Sequence, residues 1–249
     1  MRIREKIKRA CLELAGDVRI TDVRIGLGYT AVLLESGRLG VAYTFRNDLK
    51  GGCKIFRGLR PLSGSPASRL LELFDSQDRV ESAVALATAN ALLNHLPDSP
   101  LDGDVLEHVS FRPDDRVGMV GYFAPMVHAI RERAASLIIF EQTERLETEV
   151  LPEEEIFTGL PECQVAIVTA TSIVNDTIDE ILYAARTCRE VVLLGASTPM
   201  FPTAFAGTPL TALSGVLVTS PEKMLQIVSE GGGTRSFRGS VRKINMRLA

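Results

Sequence analysis

The stretches Arg116-Val-Gly-Met-Val-Gly-Tyr-Phe-Ala-Pro-Met-Val, Val165-Ala-Ile-Val-Thr-Ala-Thr-Ser-Ile-Val-Asn and Val191-Val-Leu-Leu-Gly-Ala-Ser-Thr-Pro-Met share one pattern. Each is a short β-branched run, a turn of small and polar residues, and a segment of helical character. A strand covered on both faces has no reason to alternate, so each reads as a buried parallel strand feeding a crossover helix. Strands are expected near Arg116–Val120, Leu137–Phe140, Gln164–Thr169, Glu190–Leu194 and Gly215–Thr219. That alternation predicts an α/β fold with a doubly wound parallel sheet and right-handed connections. Ligands of such sheets sit at the carboxyl ends of the strands, where helix N-termini present unpaired N–H groups. Tyr122, Thr169, Ser172, Ser197 and Thr198 would lie there.

Upstream the pattern changes. Arg2 to Ala15 reads as an amphipathic helix with Ile3, Ile7, Cys11 and Leu14 on one stripe, ended by Gly16. Three strands follow near Val18–Ile25, Tyr29–Glu35 and Leu39–Phe45, the last two joined by a compact turn at Ser36-Gly37-Arg38, so an antiparallel meander is expected. Arg46 to Pro66, with Gly51, Gly52, Gly58 and Gly64, reads as a long loop of the kind that lines a site. Two helices come next, the second from about Ser76 to His95. Its many alanines suit close packing on a sheet. Pro97-Asp-Ser-Pro-Leu-Asp-Gly-Asp is the strongest linker, placing a smaller α+β domain over residues 1–100 and the parallel-sheet domain over 104–249.

A chain of 249 residues with 45% hydrophobic and 24% charged content can bury a sizeable core. Its formal net charge of −3 argues against a whole-surface footprint for nucleic acid. Arg235, Arg238, Arg242, Lys243 and Arg247 do crowd the C-terminus, either for a phosphate-bearing partner or as a solvated end packed on the acidic body. Cys11, Cys53, Cys163 and Cys188 form no C-x-x-C pair, and His95, His108 and His128 stand apart. Neither a disulfide framework nor a local metal motif is written into the spacing, although a metal site assembled from distant residues stays open. The charged start lacks a signal-peptide core, and no apolar run is long enough to span a bilayer. A cytoplasmic protein without membrane or nucleic-acid partners is expected. Pattern alone does not fix the oligomeric state, for which a homodimer is the default.

Chemistry concentrates in the β/α turns. A dinucleotide fingerprint needs glycines where Tyr122 and Phe123 stand, which weakens the case for NAD or FAD. Gly121 and the following helix N-terminus leave room for an anion or an adenosine-type ligand. Glu141 ends the second parallel strand, where an acid binds ribose hydroxyls in this architecture; the bland alternative is a surface acid in a series with Glu144, Glu147 and Glu149. N-capping explains one hydroxyl in each of Thr169-Ala-Thr-Ser-Ile-Val-Asn and Gly195-Ala-Ser-Thr-Pro-Met, leaving Thr171, Ser172, Asn175, Ser197 and Thr198 as further ligand candidates. Ser197 is not in a G-x-S-x-G elbow, so serine-hydrolase chemistry has no support.

Five motifs in order carry a resemblance: Val120-Gly-Tyr-Phe-Ala-Pro-Met-Val, Thr171-Ser-Ile-Val-Asn-Asp-Thr, Gly195-Ala-Ser-Thr-Pro-Met, Val216-Leu-Val-Thr-Ser-Pro-Glu-Lys and Gly231-Gly-Gly-Thr. They resemble a heavy-metal chelation family, formerly a domain of unknown function. Leu39-Gly-Val-Ala-Tyr-Thr and Ala89-Asn-Ala-Leu-Leu-Asn are similar to its companion N-terminal domain. The resemblance implies an enolase-N-terminal-like domain, a Rossmann-like domain, a site in the cleft between them, and a heavy-metal ion or metal chelate as cofactor or cargo. In that arrangement Tyr43, Thr44 and the loop near Gly51 would close over Tyr122, Thr169 and Ser197.

The first reading is an enzyme of metal-chelator metabolism binding a small polar or anionic metabolite in the cleft, with Glu35 and Glu141 as the acids to test. The second is a non-catalytic carrier or sensor of a metal chelate; an adenosine-dependent transferase-like enzyme is a further alternative. The third is a structural subunit whose polar turns are only caps.

Overall fold

A computed structural model of the chain describes residues 1–46, 55–96, 101, 103–141 and 150–248. Its N-terminal part comprises α1 (Ile3–Ala15), the strands β1 (Ile20–Ile25), β2 (Tyr29–Leu34) and β3 (Leu39–Tyr43), then α2 (Ala67–Leu71) and α3 (Arg79–Leu93). The strands form the expected antiparallel meander. On α1 the buried stripe is Ile3, Ile7, Cys11 and Ala15, at strict i, i+4 spacing. Leu14, expected on that stripe, is 56% exposed.

Asp78 starts α3 by accepting hydrogen bonds from the Val80 and Glu81 N–H groups at 2.8 and 3.2 Å. Every residue of α3 except Arg79 and Glu81 is buried, so the helix has no solvent face. It lies directly on β3. A Cβ built on Gly40 would stand 2.1 Å from the Ala87 carbonyl oxygen and 2.2 Å from the Ala91 nitrogen, a separation only glycine permits. Val32, Leu34 and Ala42 share the core on this side of the small sheet. Its other side, Tyr29, Ala31, Leu39 and Val41, packs against Met224, Val228 and Phe237 from the C-terminal part of the chain.

The second sheet contains β4 (Arg116–Val120), β5 (Ser136–Phe140), β6 (Val150–Leu151), β7 (Val165–Thr169), β8 (Glu190–Leu194), β9 (Ala212–Val218) and β10 (Val241–Arg247). Their spatial order is β6-β5-β4-β7-β8-β9-β10, parallel throughout except for β10. α4 (Ala124–Arg131), α5 (Ile156–Gly159), α6 (Thr171–Val174), α7 (Ile178–Ala184) and α8 (Pro221–Ser229) connect these strands. Ile130 of α4 packs on one side with Val117, Met119, Ile139 and Ile167; α6 and α7 pack on the other with Val168 and Leu193. The sheet is therefore doubly wound, as the non-alternating runs predict. Two strands were not expected: the short β6 and β10. The latter takes up the basic C-terminus, burying Ile244, Asn245 and Met246 against β9, while Arg247 reaches Glu190 at 2.7 Å.

The expected linker lies largely outside the described residues, but the two parts are not loosely joined. One core cluster runs without a break from Ile7, Leu86 and Leu93 into Val168, Leu193 and Leu213. Polar bonds pin the same seam. Asn90 Nδ2 donates to the Val41 and Ser197 carbonyls at 2.9 and 3.0 Å. Asn94 Nδ2 donates to the Thr198 and Val216 carbonyls at 3.1 and 3.2 Å, and its Oδ1 accepts the Met200 N–H at 2.9 Å.

Two predictions follow from this packing. Asn94→Ala leaves buried carbonyls and an N–H without partners, and Gly40→Ala forces α3 off β3; each should lower unfolding free energy by about 3 kcal/mol, read as a reduced urea midpoint at unchanged slope. The second concerns acid. Burial alone would raise the carboxyls of Asp115 and Glu190 above their ordinary 3.8 and 4.5, but hydrogen bonds from Arg189 and Arg247 outweigh it and hold both lower. Their stabilisation is complete above about pH 5 and is withdrawn as pH falls through 4 and below. The melting temperature should drop over that range, and less steeply in Asp115→Asn and Glu190→Gln.

Candidate functional site

The strand order reverses between β4 and β7, so their carboxyl ends diverge into connections on opposite faces of the sheet, the place where open α/β sheets hold their ligands. Gly121 follows β4 with φ +89°, and a Cβ there would stand 3.0 Å from the Thr169 Cβ. Dihedral and contact together require glycine at this point. Glu141 directly follows β5, its Oε2 accepting the Tyr122 N–H at 2.9 Å. The hydroxyls of Thr169 and Thr171 bond each other at 3.0 Å. The Phe123 N–H faces the Met119 sulfur at 3.5 Å. Tyr122 is 40% exposed, enough to present its ring to a ligand. Gly121, Tyr122, Phe123, Glu141, Thr169 and Thr171 thus meet at one edge of the sheet.

The other expected site residues are used differently. Ser197 and Thr198 are 1% and 0% exposed. The Ser197 Oγ accepts the Tyr43 N–H at 2.9 Å, which ties the backbone of Tyr43 to the turn after β8. Thr44 is buried, its hydroxyl on that of Thr30 at 2.9 Å. Ser172 is buried and donates to the Thr169 carbonyl at 2.6 Å. The Asn175 Oδ1 accepts the Thr177 hydroxyl at 2.9 Å. Glu35 lies in the β2–β3 turn, at the opposite end of the hairpin from Tyr43, and accepts the Arg19 N–H at 3.1 Å. Gly51, Gly52, Glu144, Glu147 and Glu149 lie outside the described residues. Sequence reading passed over Asn90 and Asn94, although two asparagines one turn apart in an apolar helix are a signal, since buried amides must find partners.

Two surface depressions stand away from that edge of the sheet. One, of about 440 Å³, is lined by Val109, Phe111, Pro113, Glu132, Arg133 and Ala134, near the amino ends of β4 and β5. The other, of about 550 Å³, lies between β1 and Arg60–Ser63.

Residues 104–247 match the family described as "Putative heavy-metal chelation" (DUF364), and residues 8–93 match a companion family with the same description (DUF4213). The chain belongs to this heavy-metal chelation family. It is 26% identical to an uncharacterized protein of Methanocaldococcus jannaschii, over 98% of this chain and 97% of the other. A DUF364 protein of unknown function from Pyrococcus horikoshii superposes with a TM-score of 0.87 at 26% identity, covering 99% of this chain and all of that one. Another from Desulfitobacterium hafniense gives 0.82 at 21% identity, covering 98% of each chain, and shows the same fold.

Among the described residues, the side-chain donors do not assemble a heavy-metal centre. No group of three His, Cys, Asp or Glu side chains gathers among the described residues. Cys11, Cys163 and Cys188 are buried, and burial pushes their thiols up to about 12, 11 and 12, so they stay protonated at neutral pH. His95 Nδ1 lies 2.6 Å from the Leu93 carbonyl, and His128 faces Glu132 across one turn of α4. In Cys53→Ala protein a thiol reagent at neutral pH should modify none of the three remaining cysteines until denaturant is added, then all of them.

Proposed function

We propose that the chain binds a small hydroxyl-bearing metabolite in the crevice between the carboxyl ends of β4 and β7. One observation carries the reading: the Glu141 carboxylate, at the end of the strand next to β4, is held against the Gly121–Tyr122 turn by the Tyr122 N–H at 2.9 Å. An acid so placed accepts hydroxyls of a ribose or similar polyol. Thr169 and Thr171 add donors and acceptors, and the Tyr122 ring offers an apolar face. Heavy metal enters this reading as cargo, held by the ligand's own donor atoms. The buried free thiols suit a reducing compartment, so the activity is assigned to the cytoplasm.

A second reading, binding without turnover, is favoured by the pairing of the Thr169 and Thr171 hydroxyls with each other and not, among the described residues, with a base that could activate either.

The test is melting temperature against adenosine, ribose, amino-acid-like chelators and divalent metals, each alone and as metal plus chelator. A ligand of this site raises it by mass action. Glu141→Ala should remove most of that shift while circular dichroism stays native. A shift unchanged in both Glu141→Ala and Tyr122→Ala, or no shift from any compound, would remove the crevice from consideration. If a ligand binds, incubation and product analysis separate an enzyme from a carrier.

A further inference from the structure

The small sheet has one covered edge and one open one. On β3 the outward Tyr43 N–H and Val41 carbonyl are taken by Ser197 and Asn90. The edge of β1 is held at its start, where the Ile20 N–H donates to the Ser65 carbonyl at 2.9 Å and the Ile20 carbonyl accepts the Gly64 N–H at 2.7 Å. Beyond that point the ladder decides which groups face outward. The Gly26 N–H donates to the Tyr29 carbonyl, and Arg24 lies opposite Ala31 and Asp22 opposite Leu33. Alternation along an antiparallel pair then turns the main-chain groups of Asp22 and Arg24 toward β2 and those of Val23 and Ile25 away from it. Among the described residues, nothing bonds the N–H or carbonyl of Val23 or Ile25. Ile25 is 42% exposed, and the depression of about 550 Å³ beside it, lined by Val23, Ile25, Pro61 and Leu62, leaves room at this edge for another strand. Arg60, which also lines it, is drawn onto the Ile55 carbonyl and the Phe56 ring.

We propose that β1 pairs with β1 of a second copy of this chain, antiparallel about a two-fold axis at Val23, joining two three-stranded sheets into one. Charge selects both the partner and the register. With Val23 opposite Val23, the two residues exchange N–H to carbonyl bonds, and Asp22 of each copy stands opposite Arg24 of the other in the closer, non-hydrogen-bonded pairs. Within one strand Arg24 already forks onto Asp22 at 2.8–3.0 Å, so the two side chains share a face and can trade partners across the axis. A register centred on Asp22 or on Arg24 opposes like charges. One centred on Ile25 runs each strand into the turn that begins at Gly26. The lengths agree as well. Centring on Val23 brings Gly26, where one strand turns away, against Ile20, where the other edge is closed by Gly64 and Ser65, so residues 21–25 pair and nothing beyond them has to move.

Sedimentation equilibrium of the full chain from about 5 to about 500 µM tests this, a range suited to a small interface. The mass should rise from monomer toward dimer with concentration. Arg24→Asp and Asp22→Arg each oppose like charges twice about the axis, and each should raise the dimer dissociation constant about tenfold or more. The two substitutions together restore opposite pairs and should return it to within about threefold of the wild-type value, which a misfolded chain could not do. Val23→Pro removes an N–H turned away from β2 and should leave a monomer with native circular dichroism. A chain monomeric at every concentration overturns the proposal and leaves this edge to a different protein or to none. A dimer of unchanged strength in both single reversals and in Val23→Pro overturns it as well, by placing the interface elsewhere.

Discussion

The contact between the backbones of α3 and β3 at Gly40 governs the rest of the molecule. With the Ala87 carbonyl 2.1 Å from where a side chain would begin, helix and strand approach as closely as main chains can. That approach puts Ala83, Ala87 and Ala91 at full burial and leaves α3 no face for water. Such a helix must be covered on every side, and the small sheet covers only one. The remainder is shared between α1 and α2 of the same half and the parallel-sheet half, the latter through Ser197 to Met200 and the apolar side chains around Val168 and Leu193. The N-terminal part thus depends on the C-terminal part for its own core, and a hydrophobic driving force of about 1.5–3 kcal/mol per large buried side chain acts across the seam.

The asparagines in this seam give direction to a force that has none. Apolar burial would tolerate a slip of α3 along the sheet, but Asn90 and Asn94 each satisfy main-chain groups from both halves of the structure or from neighbouring segments of the second half. A displaced helix would strand those carbonyls in the interior, where an unpaired polar group costs about 1–3 kcal/mol. This is also why the turn after β8 holds its hydroxyls inward. Ser197 meets the Tyr43 N–H because α3 and β3 land on that turn.

Much of the architecture was legible in the residues because its physics is local. Strands buried on both faces cannot alternate, which made β4, β5, β7, β8 and β9 readable as unbroken runs, and the turn at Gly37 announced the β2–β3 hairpin. β10 escaped because Val241-Arg-Lys-Ile-Asn-Met-Arg matches neither pattern: three consecutive residues are buried, one a polar Asn245 whose partners are the Ser214 hydroxyl and the carbonyls of Leu101 and Gly103. Charge density there suggested a solvated end, and only the Glu190 carboxylate, more than fifty residues earlier, explains where Arg247 goes. The candidate site was half legible for the same reason. Gly121, Glu141 and Thr169 are placed by strand order, which the pattern reveals. The fate of Ser197, Thr198 and Thr44 depends on which distant element packs on them, and sequence spacing carries no trace of that.

Three turns of nearly identical composition consequently end with different work. Each follows a parallel strand, and each offers small residues and hydroxyls at the edge where α/β sheets place their ligands. The turn after β8 is sealed by the N-terminal half. The turn after β7 divides, Ser172 going inward to the Thr169 carbonyl and the Thr169 and Thr171 hydroxyls remaining partly accessible. Only the turn after β4 keeps an exposed aromatic ring, with a carboxylate drawn onto its backbone. Composition selects the edge of the sheet, and tertiary coverage selects the turn.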